Sequence, residues 1–290
     1  MIGTPGASKL GAMAEQATTA TLDALPPAAV ARKAEDLGVT KATMPAVDVF
    51  VLAVLAGAFI ALGAAFATTV ASGSDLPYGV TRLLTGLAFS LGLILVVVAG
   101  AELFTGNNLI VMAWASRRVS TAQLARNWAI VYVGNLVGAL GTAFLVWGGD
   151  QYTFGGGAVG ETALSIAEAK VGLGFGQAVA LGILCNALVC LAVWLTYGAR
   201  TTADKVLAIV PPITAFVAMG FEHSVANMYF LPVALLIERE GAVPDVPGLD
   251  WGSFLVENLV PVTIGNVIGG GLLVGAVYWF VYLRRPRPSA

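Results

Sequence analysis

The chain has 290 residues, 58% of them hydrophobic and only 11% charged, with a net charge of −2. A soluble domain carries roughly 25% charged residues, so this composition places the chain in a bilayer. The near-neutral balance excludes a polybasic surface for nucleic acid. No secretory leader is expected, because Met1 to Val47 holds no apolar run.

Residues 1–25 are rich in Gly, Ala and Thr without periodicity, and are expected to be a mobile extension. Pro26-Pro27 opens a short helix through Leu37, with Gly38 as its C-terminal stop. Val30, Ala34 and Leu37 share one face, opposite Arg32, Lys33 and Asp36. Region 26–45 is therefore expected to be an amphipathic cytoplasmic helix and linker, lying on the membrane surface or simply solvated. At the cytoplasmic mouth such a helix could act as a plug.

Six hydrophobic segments follow, near Asp48–Ala71, Arg82–Trp114, Gln123–Trp147, Val171–Tyr197, Asp204–Ile237 and Trp251–Leu283. A bilayer core needs about 20 apolar helical residues. The second and fifth segments exceed that, and each has a Gly-x-Glu in its middle. Backbone at bilayer depth leaves the helix only where protein or a water-filled cavity satisfies its polar groups, so both are expected to be broken helices. Counting Lys and Arg by side gives 12 on the side of the termini and 3 on the other, which predicts cytoplasmic termini in a bacterial inner membrane.

The two halves repeat. Gly100-Ala101-Glu102 with Asn107 is matched by Gly220-Phe221-Glu222 with Asn227. Gly134-Asn135-Leu136-Val137-Gly138 is matched by Gly265-Asn266-Val267-Ile268-Gly269. Three spans per unit is an odd number, so the second copy is inverted. Paired broken helices then put the solute path near the midplane, between the halves. The channel region is 46–285, with repeat one at 46–148, repeat two at 170–283 and a tail at 286–290. The expected fold is all-α, with six transmembrane helices in two inverted three-helix repeats.

His223 is the only histidine, and it stands beside Glu222 inside an apolar stretch. Intramembrane ionisable groups are costly and by default mark a functional site. Cys185 and Cys190 fall on different faces of one helix, so no disulfide, metal site or cofactor is expected.

At these residues the chain resembles the formate/nitrite transporter family. The likeness runs from about Pro26 to Arg285 and is carried by Ala101-Glu102-Leu103-Phe104-Thr105-Gly106 and by Gly220-Phe221-Glu222-His223-Ser224-Val225-Ala226-Asn227-Met228. It is similar above all to the formate-channel branch through Phe89-Ser90-Leu91-Gly92-Leu93, while Glu102 is closer to the nitrite branch. The resemblance implies an aquaporin-like protomer, a homopentamer, and one pore per protomer for a small monovalent anion. It also implies apolar constrictions, Leu93 with Phe216 and Leu103 with Phe89. Lys170 would be a pore-facing cation, together with Asn186 and Asn266.

Bottom-up, His223 and Thr105 are expected to hydrogen-bond the anion, and His223 to share a proton so that the neutral acid crosses. Imidazole titrates near ambient pH, which suits that task. Glu222 is expected to orient the imidazole or stabilise its charged form. Glu102 is expected to be a structural carboxylate that receives backbone N–H groups at the break. Thr105, Asn186, Asn266 and Lys170 retain plain alternatives: satisfying freed backbone, bonding between helices, or snorkelling to headgroups. An intramembrane enzyme is set aside, since Ser224 is adjacent to His223 and points away from it on a helix. An aquaporin-type neutral-solute pore lacks its Asn-Pro-Ala signature, leaving formate first and nitrite or hydrosulfide next.

Overall fold

The computed structural model describes residues 23–240 and 246–285. The tail at 286–290 and most of the expected extension, residues 1–22, lie outside them. Among the described residues all regular structure is helical. In chain order the helices are α1 (Pro27–Thr43), α2 (Ala46–Ala71), α3 (Tyr78–Ala99), α4 (104–115), α5 (Thr121–Gly148), α6 (Ala158–Val171), α7 (Phe175–Gly198), α8 (Thr202–Ala218), α9 (Ser224–Glu238) and α10 (Ser253–Tyr282). Helix α4 is irregular, a 3₁₀ turn at Asn108–Ile110 joining two short α segments, and α10 widens to π geometry at Ser253–Leu259 and Ile268–Ala276.

Five helices, α2, α3, α5, α7 and α10, are long and apolar enough to cross a membrane. Large apolar side chains such as Leu62, Phe66, Leu145 and Leu207 stand exposed on the outside. In water that surface would be an aggregation liability; in lipid it is solvated. The chain is a multi-pass membrane protein.

Both expected breaks are present. The first separates α3 from α4 and the second separates α8 from α9. Each begins with a glycine in left-handed backbone, Gly100 at φ +84° and Gly220 at φ +73°. That conformation ends the helix with Schellman-type bonds, Ala101 N–H to Val96 O (2.8 Å) and Phe221 N–H to Phe216 O (3.0 Å).

The paired Gly-x-x-x-Gly motifs pack as matched crossings. A Cβ on Gly138 of α5 would strike the Val54 carbonyl of α2, and one on Gly269 of α10 would strike the Ile183 carbonyl of α7. Backbone meets backbone there, so only glycine fits.

Helix α1 corrects two expectations. It runs through Gly38 to Thr43, because Gly38 serves close packing against Ala113 and Ile110 rather than a stop. It also lies neither on lipid nor free in solvent. Val30, Ala31, Ala34 and Ala42 are buried against protein, in clusters with Met112, Trp194, Ile110 and Ala113. Arg118 pins its outer face through Glu35 (3.0 Å) and Asp36 (2.6 Å). These bonds, the Asp36 one first, raise the Arg118 guanidinium above its ordinary range.

Gly138→Val and Gly269→Val are each expected to lower the thermal midpoint of the detergent-solubilised protein by about 5 °C or more, as forced overpacking costs about 1–3 kcal/mol. An unchanged midpoint by differential scanning fluorimetry would show that the crossings tolerate separation.

Candidate functional site

Each break leaves backbone groups stranded in a low-dielectric interior, and a buried asparagine collects them. Asn135 Nδ2 donates to Ala53 O (2.7 Å) and Glu102 O (3.0 Å), while its Oδ1 accepts from Phe104 N (2.9 Å). Asn266 repeats the pattern, donating to Gly182 O (2.9 Å) and Glu222 O (2.9 Å) and accepting from Ser224 N (2.9 Å). Both residues are fully buried. The carboxylate residues add a backbone tie of their own, Glu102 N to Leu52 O and Glu222 N to Leu181 O.

The two buried carboxylates are caged alike. Glu102 accepts from Lys41 Nζ (2.5 Å) and Asn107 Nδ2 (2.7 Å); Glu222 accepts from Lys170 Nζ (2.8 Å) and Asn227 Nδ2 (2.7 Å). Asn107 and Asn227 each donate onward, to Asn127 Oδ1 (3.0 Å) and Asn258 Oδ1 (2.7 Å). Asn127 and Asn258 in turn donate to the carbonyls of Lys41 and Lys170. The partners are side chains, not the backbone N–H groups expected for Glu102. The repeat thus includes the helix before each trio of spans: α1 carries Lys41, and α6 carries Lys170.

Spacing could have shown which residues correspond between the repeats. Asn127 stands eight residues before Asn135, and Asn258 eight before Asn266. Lys41 lies eleven residues before Leu52, and Lys170 eleven before Leu181. The tie of Lys170 to Glu222 also removes the snorkelling alternative, since its side chain is only 12% exposed.

Two cavities are stacked along α3. The α6-side cavity, about 430 Å³, is lined by Arg82, Phe89, Lys170, Phe216, Glu222 and His223. The α1-side cavity, about 310 Å³, is lined by Lys41, Leu93, Glu102, Leu103 and Tyr197 among others. Each therefore has one lysine–glutamate pair on its wall. The constriction residues regroup relative to expectation. Phe89 and Phe216 meet edge to face at 5.6 Å on the α6 side, while Leu93 and Leu103 line the α1 side.

Between the cavities, Thr105 Oγ1 lies 3.0 Å from His223 Nε2. Both residues are buried, and the imidazole stacks on Phe216 at 5.9 Å. His223 Nδ1 accepts the Ala226 N–H (3.0 Å), making the imidazole the N-cap of α9. An accepting Nδ1 places the neutral ring's proton on Nε2, aimed at Thr105. Glu222 makes no bond to the ring, contrary to expectation, because Lys170 and Asn227 occupy its two oxygens.

Asn186 and Asn266 line neither cavity. Asn186 Nδ2 bonds Thr105 O (3.2 Å), Asn108 Oδ1 (3.0 Å) and Asn266 O (2.7 Å), locking α7 to α4 and α10. The sequence reading missed Arg82, which donates to Ala218 O (3.2 Å) and Val217 O at the open end of α8. A cation at a helix C-terminus satisfies orphan carbonyls and suits the dipole. Among the described residues no cluster could hold a metal ion.

Asn135→Leu and Asn266→Leu each strand three backbone groups, at about 1–3 kcal/mol per buried unsatisfied group. Each is expected to abolish recovery of folded protein, measured as a monodisperse peak in size-exclusion chromatography. Normal yield of either would show that the breaks find other partners.

The family model described as formate/nitrite transporter matches residues 28–280. The formate channel FocA of Escherichia coli K12 is 47% identical over 274 residues, covering 90% of this chain and 96% of its own. That of Haemophilus influenzae is 40% identical, covering 87% of this chain and 93% of its own. A solved structure described as a pentameric formate channel with formate bound superposes with a TM-score of 0.74 at 43% identity, covering 82% of this chain and 98% of that one. These relatives are channels, not enzymes, and the chain belongs to the formate/nitrite transporter family.

Proposed function

We propose that the chain is a channel for small monovalent anions, formate foremost, with the solute crossing between the cavities as its neutral acid. The carrying observation is the Thr105–His223 pair between two cavities that each hold a lysine. The relatives named as formate channels, at 47% and 40% identity, supply the solute. The pentamer follows from the likeness to the solved pentameric channel. Six crossings follow if α8 and α9 share one span as α3 and α4 share another. Cytoplasmic termini rest on the 12-to-3 distribution of basic residues, and an inner membrane on the likeness to bacterial formate channels.

The chemistry follows from charge. A bare anion in a low-dielectric constriction is penalised by tens of kcal/mol on Born estimates. Lys170 and Lys41 draw the anion into either cavity, and the phenyl rings and leucine side chains exclude water. A solute oxygen inserted between Thr105 and His223 receives the Nε2–H and the threonine O–H. For His223 to give its Nε2 proton to the anion and end neutral, Nδ1 must take a proton, supplied by water in the α6-side cavity that the ring lines. Nδ1 then gives up the Ala226 N–H, so proton sharing is coupled to loosening of the α9 cap.

Arg82 and Lys170 both face the α6-side cavity, favouring anions over neutral solutes. Glu102 lines the other cavity with both oxygens engaged by Lys41 and Asn107, so its likeness to the nitrite branch does not by itself select nitrite.

The test is radiolabelled formate uptake in proteoliposomes over a pH series, alongside nitrite, hydrosulfide and glycerol. Saturable formate flux is expected. Glycerol swelling without formate flux would overturn the anion reading. His223→Asn keeps a capping side chain for α9 but no titratable ring. It is expected to assemble normally and lose the pH response of formate flux, as is His223→Phe at some cost in stability. A pH profile unchanged in both would sink proton sharing.

A further inference from the structure

The two carboxylate cages are built from one pattern, so a difference between them is informative. In the first cage Lys41 Nζ bonds both Glu102 Oε1 (2.5 Å) and Asn107 Oδ1 (3.1 Å), and every polar atom of the asparagine has a partner. In the second cage Lys170 Nζ bonds Glu222 Oε1 alone, and Asn227 Oδ1 is buried without a partner. Asn227 lines the α6-side cavity beside Lys170 and His223. Its amide is not reversed, because Nδ2 donates to both Glu222 and Asn258.

One residue beside the lysine differs between the repeats. The Lys170 ammonium sits over the face of Phe230, 5.4 Å from the ring centroid, and Phe230 lines the same cavity. At the matching register of the first repeat, counted from the paired glutamates, stands Ile110. An aromatic face attracts an ammonium to about 6 Å; an isoleucine offers nothing comparable. In the first cage the lysine accordingly closes onto its asparagine, and in the second it is held off.

We propose that Phe230 is a positioning residue that keeps Lys170 away from Asn227, leaving a spare donor and a buried, unpartnered acceptor at the cavity wall as a docking pair that a carboxylic solute engages when it enters. Lysine has three donors, and Glu222 uses one. A remaining Lys170 N–H takes the solute's carbonyl oxygen, and Asn227 Oδ1 takes the acid O–H. The closed first cage binds no such group. This rests on the acid-crossing reading above and adds a subsite on the His223 side, where the neutral acid is held once it has taken its proton from the imidazole. No bond is made or broken in the docking, and no further component is required.

The experiment has a structural arm and a transport arm, both on the full-length assembly. A cryo-EM structure of Phe230→Leu is expected to show Lys170 Nζ within hydrogen-bond distance of Asn227 Oδ1, reproducing the first cage. A lysine that stays in place overturns the proposal, whatever the protein transports. In proteoliposomes, Phe230→Leu is expected to raise the KM for formate on the order of three- to tenfold with maximal flux little changed, and Phe230→Trp to restore it. In a Lys170→Met background the leucine substitution is expected to add nothing further. An equal effect with and without Lys170 would mark Phe230 as mere packing and overturn the proposal. Absence of saturable formate flux in the unmodified protein would instead overturn the functional reading, leaving the cage geometry to the structural arm.

Discussion

Breaking a helix inside a bilayer strands N–H and C=O groups where no water can reach them, at several kcal/mol apiece if left unmet. The protein meets this demand with a single side-chain type used twice. Asn135 and Asn266 each gather two carbonyls and one N–H, tying the break to the first span of its own repeat and to the start of the half-helix beyond. An asparagine amide has two donors and a two-lone-pair acceptor in one plane, which is what three convergent backbone groups need. Matched glycines, Gly138 and Gly269, let that amide come close enough by allowing the helices to touch at backbone.

Once the breaks are held, the buried charges have places. Each Glu102 or Glu222 carboxylate has a lysine and an asparagine, so neither faces the solute bare. A half-buried ion pair of this kind contributes little net stability, but removing one partner strands the other. The lysines come from α1 and α6, helices that precede the spans, and so each cavity wall is closed by an element outside the transmembrane trio. Helix α1 is therefore structural wall as well as cover.

Function grows from the point where the repeats differ. The register that holds His223 in the second copy holds Leu103 in the first, so one break offers a proton-bearing ring and the other an apolar alkyl chain. Because His223 also caps α9, its Nδ1 is committed and its tautomer set by the helix it begins. Phe230 against Ile110 is a second such difference. Duplication built the frame, and divergence at a few registers built the path.

Much of this was legible in the chain. The apolar lengths, the Gly-x-Glu pairs and the doubled Gly-Asn motifs were enough to place the apolar helices, both breaks and the matched halves, because hydrophobic length and glycine spacing are local properties. The lone intramembrane histidine and the hydroxyl at the first break pointed to His223 and Thr105, and the geometry brings them within 3.0 Å. What the sequence could not decide was who meets whom across long separations. Lys41 reaches Glu102 over 61 residues and Lys170 reaches Glu222 over 52. The pairing of Phe89 with Phe216, the use of Asn186 and Asn266 as clasps instead of pore-facing groups, and the detachment of Glu222 from the imidazole were likewise tertiary outcomes. Composition and period fix what must be buried and where the backbone must bend; only packing fixes which partner satisfies each buried polar group, since several candidates of the right chemistry lie at similar depth and geometry selects among them.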